Sequence, residues 1–141
     1  MCMMVYVGSE SSLPAVPLDP LRPDFHTRPT GSDDSPVLKN IPAEHVIYTG
    51  SHEGCGCGFS GADPDLYYEQ EEVDAARTSL IKLRGYIDSI LRSESRVWLY
   101  SVEYDDKYLP AESKRIMTPE EFIPESFYFR SRELIEVHRS P

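Results

Sequence analysis

The sequence predicts an α+β fold in which one long amphipathic helix packs on a mixed or antiparallel sheet of about five or six strands. Apolar residues recur at three- and four-residue steps along 73–90, as on one face of a helix. Short β-type segments lie on both sides of this stretch, at 2–8, 45–49 and 96–104. The chain has 141 residues, a common length for one domain, so we expect a single domain over 1–141.

The first predicted strand is the apolar run CMMVYVG at 2–8. It is followed by a proline-rich arm, residues 13–44, in which four prolines are spaced three apart as in a polyproline II helix. Apolar residues between these prolines predict that the arm lies along its own domain. The second predicted strand is HVIYT at 45–49, and both strands end in Gly-Ser followed within two residues by an acid.

The sequence GADPD at 61–65 supplies turn and capping residues before the predicted helix. The apolar residues of the helix that form one stripe are Val73, Ala76, Leu80, Leu83, Ile87 and Ile90. Gly85 interrupts this helix at a cost of about 1 kcal/mol relative to alanine, so we expect it to mark a close contact with a neighbouring strand.

The C-terminal third predicts the rest of the sheet. The segment RVWLYSVEY at 96–104 alternates in the manner of a strand that is central at its start. Residues 113–117 are predicted to return antiparallel, and TPEEF at 118–122 to form one short capped helical turn. The segments 127–129 (FYF) and 133–138 (ELIEVH) are predicted to pair as a closing hairpin.

Composition and charge limit the classes of partner. The formal net charge is −10 and the basic residues are scattered, so we expect no nucleic-acid partner. No stretch has the length of an apolar membrane-spanning helix, and the first residues do not have the basic flank of a secretory signal. Three cysteines make a poor disulfide framework. We therefore expect a cytoplasmic protein that does not associate with a membrane.

The loop SHEGCGCGF at 51–59 is the candidate site. His52, Cys55 and Cys57 carry imidazole and thiol groups, which are the ligands of tetrahedral zinc, within a glycine-rich segment able to wrap an ion. Acidic residues nearby, among them Glu53 and Asp63, disfavour a reactive thiolate but favour a bound cation. The sequence therefore predicts a zinc-like metal site with these three ligands. Tyr67 and Tyr68 follow the loop and are expected to cover it.

The fourth ligand depends on strand direction. The candidate fourth ligands are Cys2, His26, His45, Glu53 and Asp63. If the first two strands run parallel, Cys2 lies at the opposite end of its strand from the loop, roughly 20 Å away at about 3.3 Å per residue. An antiparallel pairing brings Cys2 close to the loop.

Three alternatives to the metal site remain open. The Cys-x-Cys pair could be a thiol redox site, because a disulfide across one residue is strained and easily reduced. The loop could be a packed bend in which the cysteines are small buried residues and Phe59 anchors it in the core. The protein could also be a non-enzymatic interaction module that uses its acidic surface or the proline-rich arm. The sequence contains no catalytic triad order or nucleotide fingerprint, and it assigns no reaction.

Overall fold

The computed structural model describes residues 2–66 and 68–141 and has the predicted α+β architecture, a six-stranded mixed sheet with one long helix. The strands are β1 (Met3–Ser9), β2 (His26–Pro29), β3 (His45–Gly50), β4 (Arg96–Glu103), β5 (Ser113–Met117) and β6 (Glu133–His138). The helices are α1 (Ser35–Leu38) and α2 (Gln70–Ile90), with short 3-10 turns at Ser32–Asp34, Gly56–Phe59, Tyr104–Asp106 and Pro119–Glu121. No helix in the described ranges is both long and apolar enough to cross a membrane.

The strands lie in the order β2-β3-β1-β4-β6-β5, and only the pair β5 and β6 is parallel. Residues 113–117 run antiparallel to β4, as predicted, but β6 lies between the two strands and β5 pairs with β6 in parallel. The predicted hairpin is wrong, because 127–129 is not a strand. Phe127 and Phe129 are instead buried core residues, and Phe129 packs edge-on against Phe59 with ring centroids 6.1 Å apart. The apolar pattern of 127–129 resembles that of a strand because a packed loop here buries alternate residues.

One face of the sheet packs on α2. Alternation along the central strand β1 turns Val5 and Val7 toward the helix, and both are fully buried. The residues of α2 that are buried are Ala76, Ser79, Leu80, Leu83, Tyr86, Ile87 and Ile90. The predicted stripe is thus the packing face, apart from Val73, which is half-buried.

The opposite face is covered over part of its width only. Tyr6, Tyr48 and Trp98 lie in a second buried cluster there, under Val37 and Ile41 from the segment that contains α1. This cover ends near the middle of the sheet, so β5 and β6 are less protected than β1 on this side.

The proline-rich arm lies against the domain in part: Val16 and Phe25 pack on the core as expected, whereas Leu18 and Leu21 are exposed. Within the arm, the Val16 amide donates to the Thr27 hydroxyl and the Thr27 amide donates to the Val16 carbonyl, both at 2.8 Å. The Tyr86 hydroxyl of α2 donates to the Pro14 carbonyl at 2.7 Å, and the Lys82 ammonium pairs with Asp24. Strand β2 lies within this arm and is not apparent in the sequence.

The environment of Gly85 differs from the one predicted from the sequence. It is exposed, and a Cβ built at this position has no neighbouring atom within 4 Å. Gly85 therefore makes no close contact with a described strand, and its effect is to lower the stability of the helix relative to alanine.

Candidate metal centre

The antiparallel pairing of β1 with β3 brings Cys2 to the glycine-rich loop. Val5 lies opposite Thr49 and Ser9 opposite His45, so the start of β1 is level with the end of β3. Cys2 precedes β1 directly, and the loop 51–59 leaves β3 at that same end. Of the two arrangements considered for Cys2, the structure has the one that brings it close.

The loop closes on itself immediately after β3. The amide and hydroxyl of Ser51 donate to the Cys55 carbonyl at 2.9 and 2.6 Å. Gly54 lies between them with φ of +83°, a conformation that favours glycine. The Tyr48 hydroxyl donates to the Gly54 carbonyl at 3.3 Å. These bonds turn the chain back toward β1.

The 3-10 turn Gly56–Phe59 then packs directly on β1. A Cβ at Gly56 would lie 2.4 Å from Cγ2 of Val5 and 2.9 Å from the Met3 carbonyl oxygen, so only glycine allows this approach. Phe59 is 1% exposed and anchors the turn in the core, as expected from the sequence. The two loop cysteines flank Gly56 and are held at the start of β1.

The three sulfur atoms form one cluster. Sγ of Cys2, Cys55 and Cys57 all lie within 4.8 Å of one another, and the three residues are half-buried. They are thiols and form no disulfide. The amide of Met3 donates a hydrogen bond to Sγ of Cys57 at 3.1 Å. Three sulfurs at this separation could hold a metal ion.

The cysteines also interact with one another. A hydrogen bond from the Cys57 thiol lowers the pKa of Cys55 below its ordinary value, although burial opposes this shift. The same bond, together with burial, raises the pKa of Cys57. Of these two thiols, Cys55 is therefore the one that loses its proton first, and Cys57 keeps its proton to higher pH.

Two tyrosines form the rim of the cluster. Burial, together with the negative charge of Glu53, raises the pKa of Tyr68 to about 12, and its hydroxyl donates to the Cys57 carbonyl at 3.3 Å. Burial also raises the pKa of Tyr48 to about 12, with a further contribution from the charge of the cysteines. Tyr68 thus covers the loop as expected, whereas Tyr67 lies outside the described residues.

The imidazole of His52 contacts α2 and not the sulfur cluster. Its Nδ1 lies 3.1 Å from the hydroxyl of Ser79 on α2, and its amide donates to the same hydroxyl at 3.2 Å. Gly58 makes room for the ring, since a Cβ there would lie 2.6 Å from Cε1 of His52. In the described part of the chain, the ligand atoms that come together are the three sulfurs alone, and the imidazole is not among them.

The other candidate fourth ligands also lie outside the sulfur cluster as the structure describes it. His26 is buried in β2 with Nδ1 3.0 Å from the Asp24 carbonyl oxygen, and His45 lies at the far end of β3. Glu53 is exposed. Sequence reasoning identified the two loop cysteines, but placed Cys2 only conditionally and did not anticipate the Met3 amide or the Tyr48 hydroxyl.

The chain matches no protein-family model, and no curated protein or solved structure is significantly similar to it.

Proposed function

We propose that this protein binds a thiophilic transition-metal ion, zinc being the ion expected, through Cys2, Cys55 and Cys57. The observation that carries the proposal is the convergence of their three sulfur atoms, which lie within 4.8 Å of one another. Zn–S bonds of about 2.3 Å in tetrahedral geometry require sulfurs about 3.8 Å apart. Side-chain movements of about an ångström would therefore close the site around the ion.

The groups around the three sulfurs favour a bound cation over a cluster of thiolates without a metal. Three thiolates in one cluster repel one another, and a divalent ion removes that repulsion. The Met3 amide donates to Sγ of Cys57, the kind of supporting hydrogen bond that orients a metal ligand. The negative charge of Glu53 contributes to the raised pKa of Cys57, so it also acts on the cluster and would attract a cation.

The coordination number bears on the use of the ion. Three protein ligands leave one position of a tetrahedral zinc for water or substrate, as in catalytic zinc sites, whereas a fourth protein ligand is typical of structural sites. His52 is the ligand predicted from sequence that could fill this position. Its imidazole would then have to leave the Ser79 hydroxyl and bind the ion instead. We propose water as the fourth ligand, with His52 retained by Ser79.

The test is elemental analysis of the purified untagged protein together with titration of its thiols. We expect near-stoichiometric zinc in the wild type, and loss of the metal in each of Cys2→Ser, Cys55→Ser and Cys57→Ser. His52→Ala is the matched control, because it removes a potential ligand from the same loop without touching a sulfur. Zinc retained in His52→Ala supports water as the fourth ligand, and zinc lost from it identifies imidazole as the ligand instead.

Two results would overturn the metal proposal. The absence of metal from the wild type, with all three thiols titrating, would favour the packed bend. The absence of metal, with fewer than three thiols until reductant is added, would favour a redox pair, which the closeness of the Cys55 and Cys57 sulfurs also permits.

A further inference from the structure

A groove of about 620 Å³ lies on the face of β4, β6 and β5 that is turned away from α2. The segment that covers this face over β1 and β3 ends near Pro42, which forms one wall. Beyond Pro42 the groove extends over β4 and β6 to the edge strand β5. The volume is within the range of small-molecule sites, roughly 300–1,000 Å³.

The groove is apolar at its base. Trp98 and Leu134 lie on the same face and are 3% and 6% exposed. Ile116 lies beside them on the edge strand β5 and is 68% exposed, although Ile116 belongs to the most strongly apolar residue types. An apolar body seated here would cover Ile116 and contact the indole of Trp98.

The charged residues that line the groove are three basic ones, Arg96, Lys114 and Arg115, and one acid, Glu136, in a chain whose net charge is −10. The Arg96 guanidinium lies over the Trp98 ring, 4.7 Å from its centroid, and is held by the Glu136 carboxylate at 2.9 Å. Lys114 is exposed on the opposite side, and within the described residues its ammonium has no ion pair. Glu136 pairs with Arg96, and Glu133 pairs with Arg115 at 3.1 Å. Lys114 therefore leaves the groove with about one positive charge to offer.

We propose that this groove binds a small amphipathic carboxylate, with its apolar body on Trp98, Leu134 and Ile116 and its anionic end at Lys114. Charge complementarity selects this class, since a single uncommitted cation beside an apolar base matches one carboxylate on an apolar body. The charged end of a cationic amphiphile would be repelled by Lys114 at this position. The proposal concerns the face of the sheet opposite α2 and does not depend on the metal centre.

The experiment uses octanoate as the probe and the side-chain N–H of Trp98 as the reporter. Trp98 is the only tryptophan in the chain, so its indole N–H gives one assigned signal in a ¹H–¹⁵N correlation spectrum. We expect saturable displacement of this signal by octanoate and no displacement by octylammonium at equal concentration. Lys114→Glu should weaken octanoate binding about tenfold, because reversal of one charge changes an exposed ionic contact by roughly 1.4 kcal/mol.

Arg22→Glu is the matched control, since it makes the same change of charge at an exposed position in the proline-rich arm. Ile116→Asp is a second test of the groove at a residue too exposed to be needed for folding. Equal binding by octylammonium, or equal weakening by Arg22→Glu and Lys114→Glu, would overturn the proposal. A concentration-dependent dimer that Ile116→Asp dissociates would also overturn it, and would identify a second copy of this chain as the occupant.

Discussion

The backbone amide of Met3 donates a hydrogen bond to Sγ of Cys57, which lies 54 positions further along the chain. The donor is the first residue of the central strand β1, and the acceptor lies in the loop that follows β3. Cys2, next to the donor, is itself one of the three clustered cysteines. An ion held by these sulfurs would therefore join the start of β1 to the loop, so that metal binding is coupled to folding.

Removal of the metal is expected to lower thermal stability. At a free zinc concentration about 100 times Kd, binding contributes about 2.7 kcal/mol, which corresponds to a Tm change of roughly 5 to 10 °C for a chain of this size. Calorimetry with zinc and with chelator measures the difference. The double variant Cys55→Ser/Cys57→Ser should show the same Tm in both, and a chelator effect that persists in this variant would contradict the assignment.

The fold was predictable where local pattern determines structure. The apolar stripe from Ala76 to Ile90 and the alternation of 96–104 both depend on the immediate sequence, and both elements are found. The parallel pairing of 113–117 with 133–138 was not predicted, because an exposed five-residue strand has no pattern that distinguishes a parallel neighbour from an antiparallel one. Strand β2 was missed because proline-rich surroundings give no strand signal.

The candidate site was predictable in part for a related reason. The two loop cysteines stand out by composition, whereas the position of Cys2 follows from the antiparallel pairing of β1 with β3, which no local pattern determines. The imidazole of His52 lies against Ser79, 27 positions away on α2. Such a contact depends on how the helix is seated on the sheet, and residue type alone does not reveal it.

Asp34 is expected to make stability depend on pH. It is 4% exposed and accepts hydrogen bonds from the Tyr6 hydroxyl at 2.6 Å, the Gly31 amide at 2.7 Å and Arg28 at 3.2 Å. Burial alone would raise its pKa, but these bonds outweigh burial and lower the pKa below its ordinary value. The resulting stabilisation is present above the unfolded-state pKa of about 4 and is lost as pH falls through the lower folded-state pKa.

Asp34→Asn should therefore cost about 2 kcal/mol at pH 7, and the cost should become smaller as the pH is lowered through the folded-state pKa of Asp34, because the wild-type carboxyl is then protonated as well. Urea denaturation of both proteins across this range measures the difference. Asp33→Asn is the matched control, because Asp33 is the exposed neighbour. A cost for Asp34→Asn that does not change with pH would show that the ionised carboxylate is not what stabilises this position.

Gly85→Ala is expected to raise the free energy of unfolding by about 1 kcal/mol. The added methyl group meets no atom within 4 Å, so the gain in helix propensity is not opposed by a clash. Gly56→Ala is the contrasting variant and should lose about 1 to 3 kcal/mol, since its Cβ would lie 2.4 Å from Val5. Urea denaturation measures both, and a destabilised Gly85→Ala would contradict the open environment at this position.

Two buried tyrosines on the same face of the sheet are expected to respond differently to loss of the hydroxyl. The Tyr6 hydroxyl donates to the Asp34 carboxylate, whereas the Tyr100 hydroxyl is buried and has no hydrogen-bond partner in the part of the chain that the structure describes. Tyr6→Phe should cost about 1.5 to 3 kcal/mol, because it removes one of the three donors to a buried carboxylate. Tyr100→Phe should leave stability within about 0.5 kcal/mol of wild type or raise it, because it removes an unsatisfied polar group.

In a double-mutant cycle, Tyr6→Phe and Asp34→Asn should couple by about 1 kcal/mol or more, while Tyr100→Phe and Asp34→Asn should be additive within about 0.5 kcal/mol. A Tyr100→Phe variant that loses more than about 1 kcal/mol would show that its hydroxyl has a partner, a buried water being the simplest one.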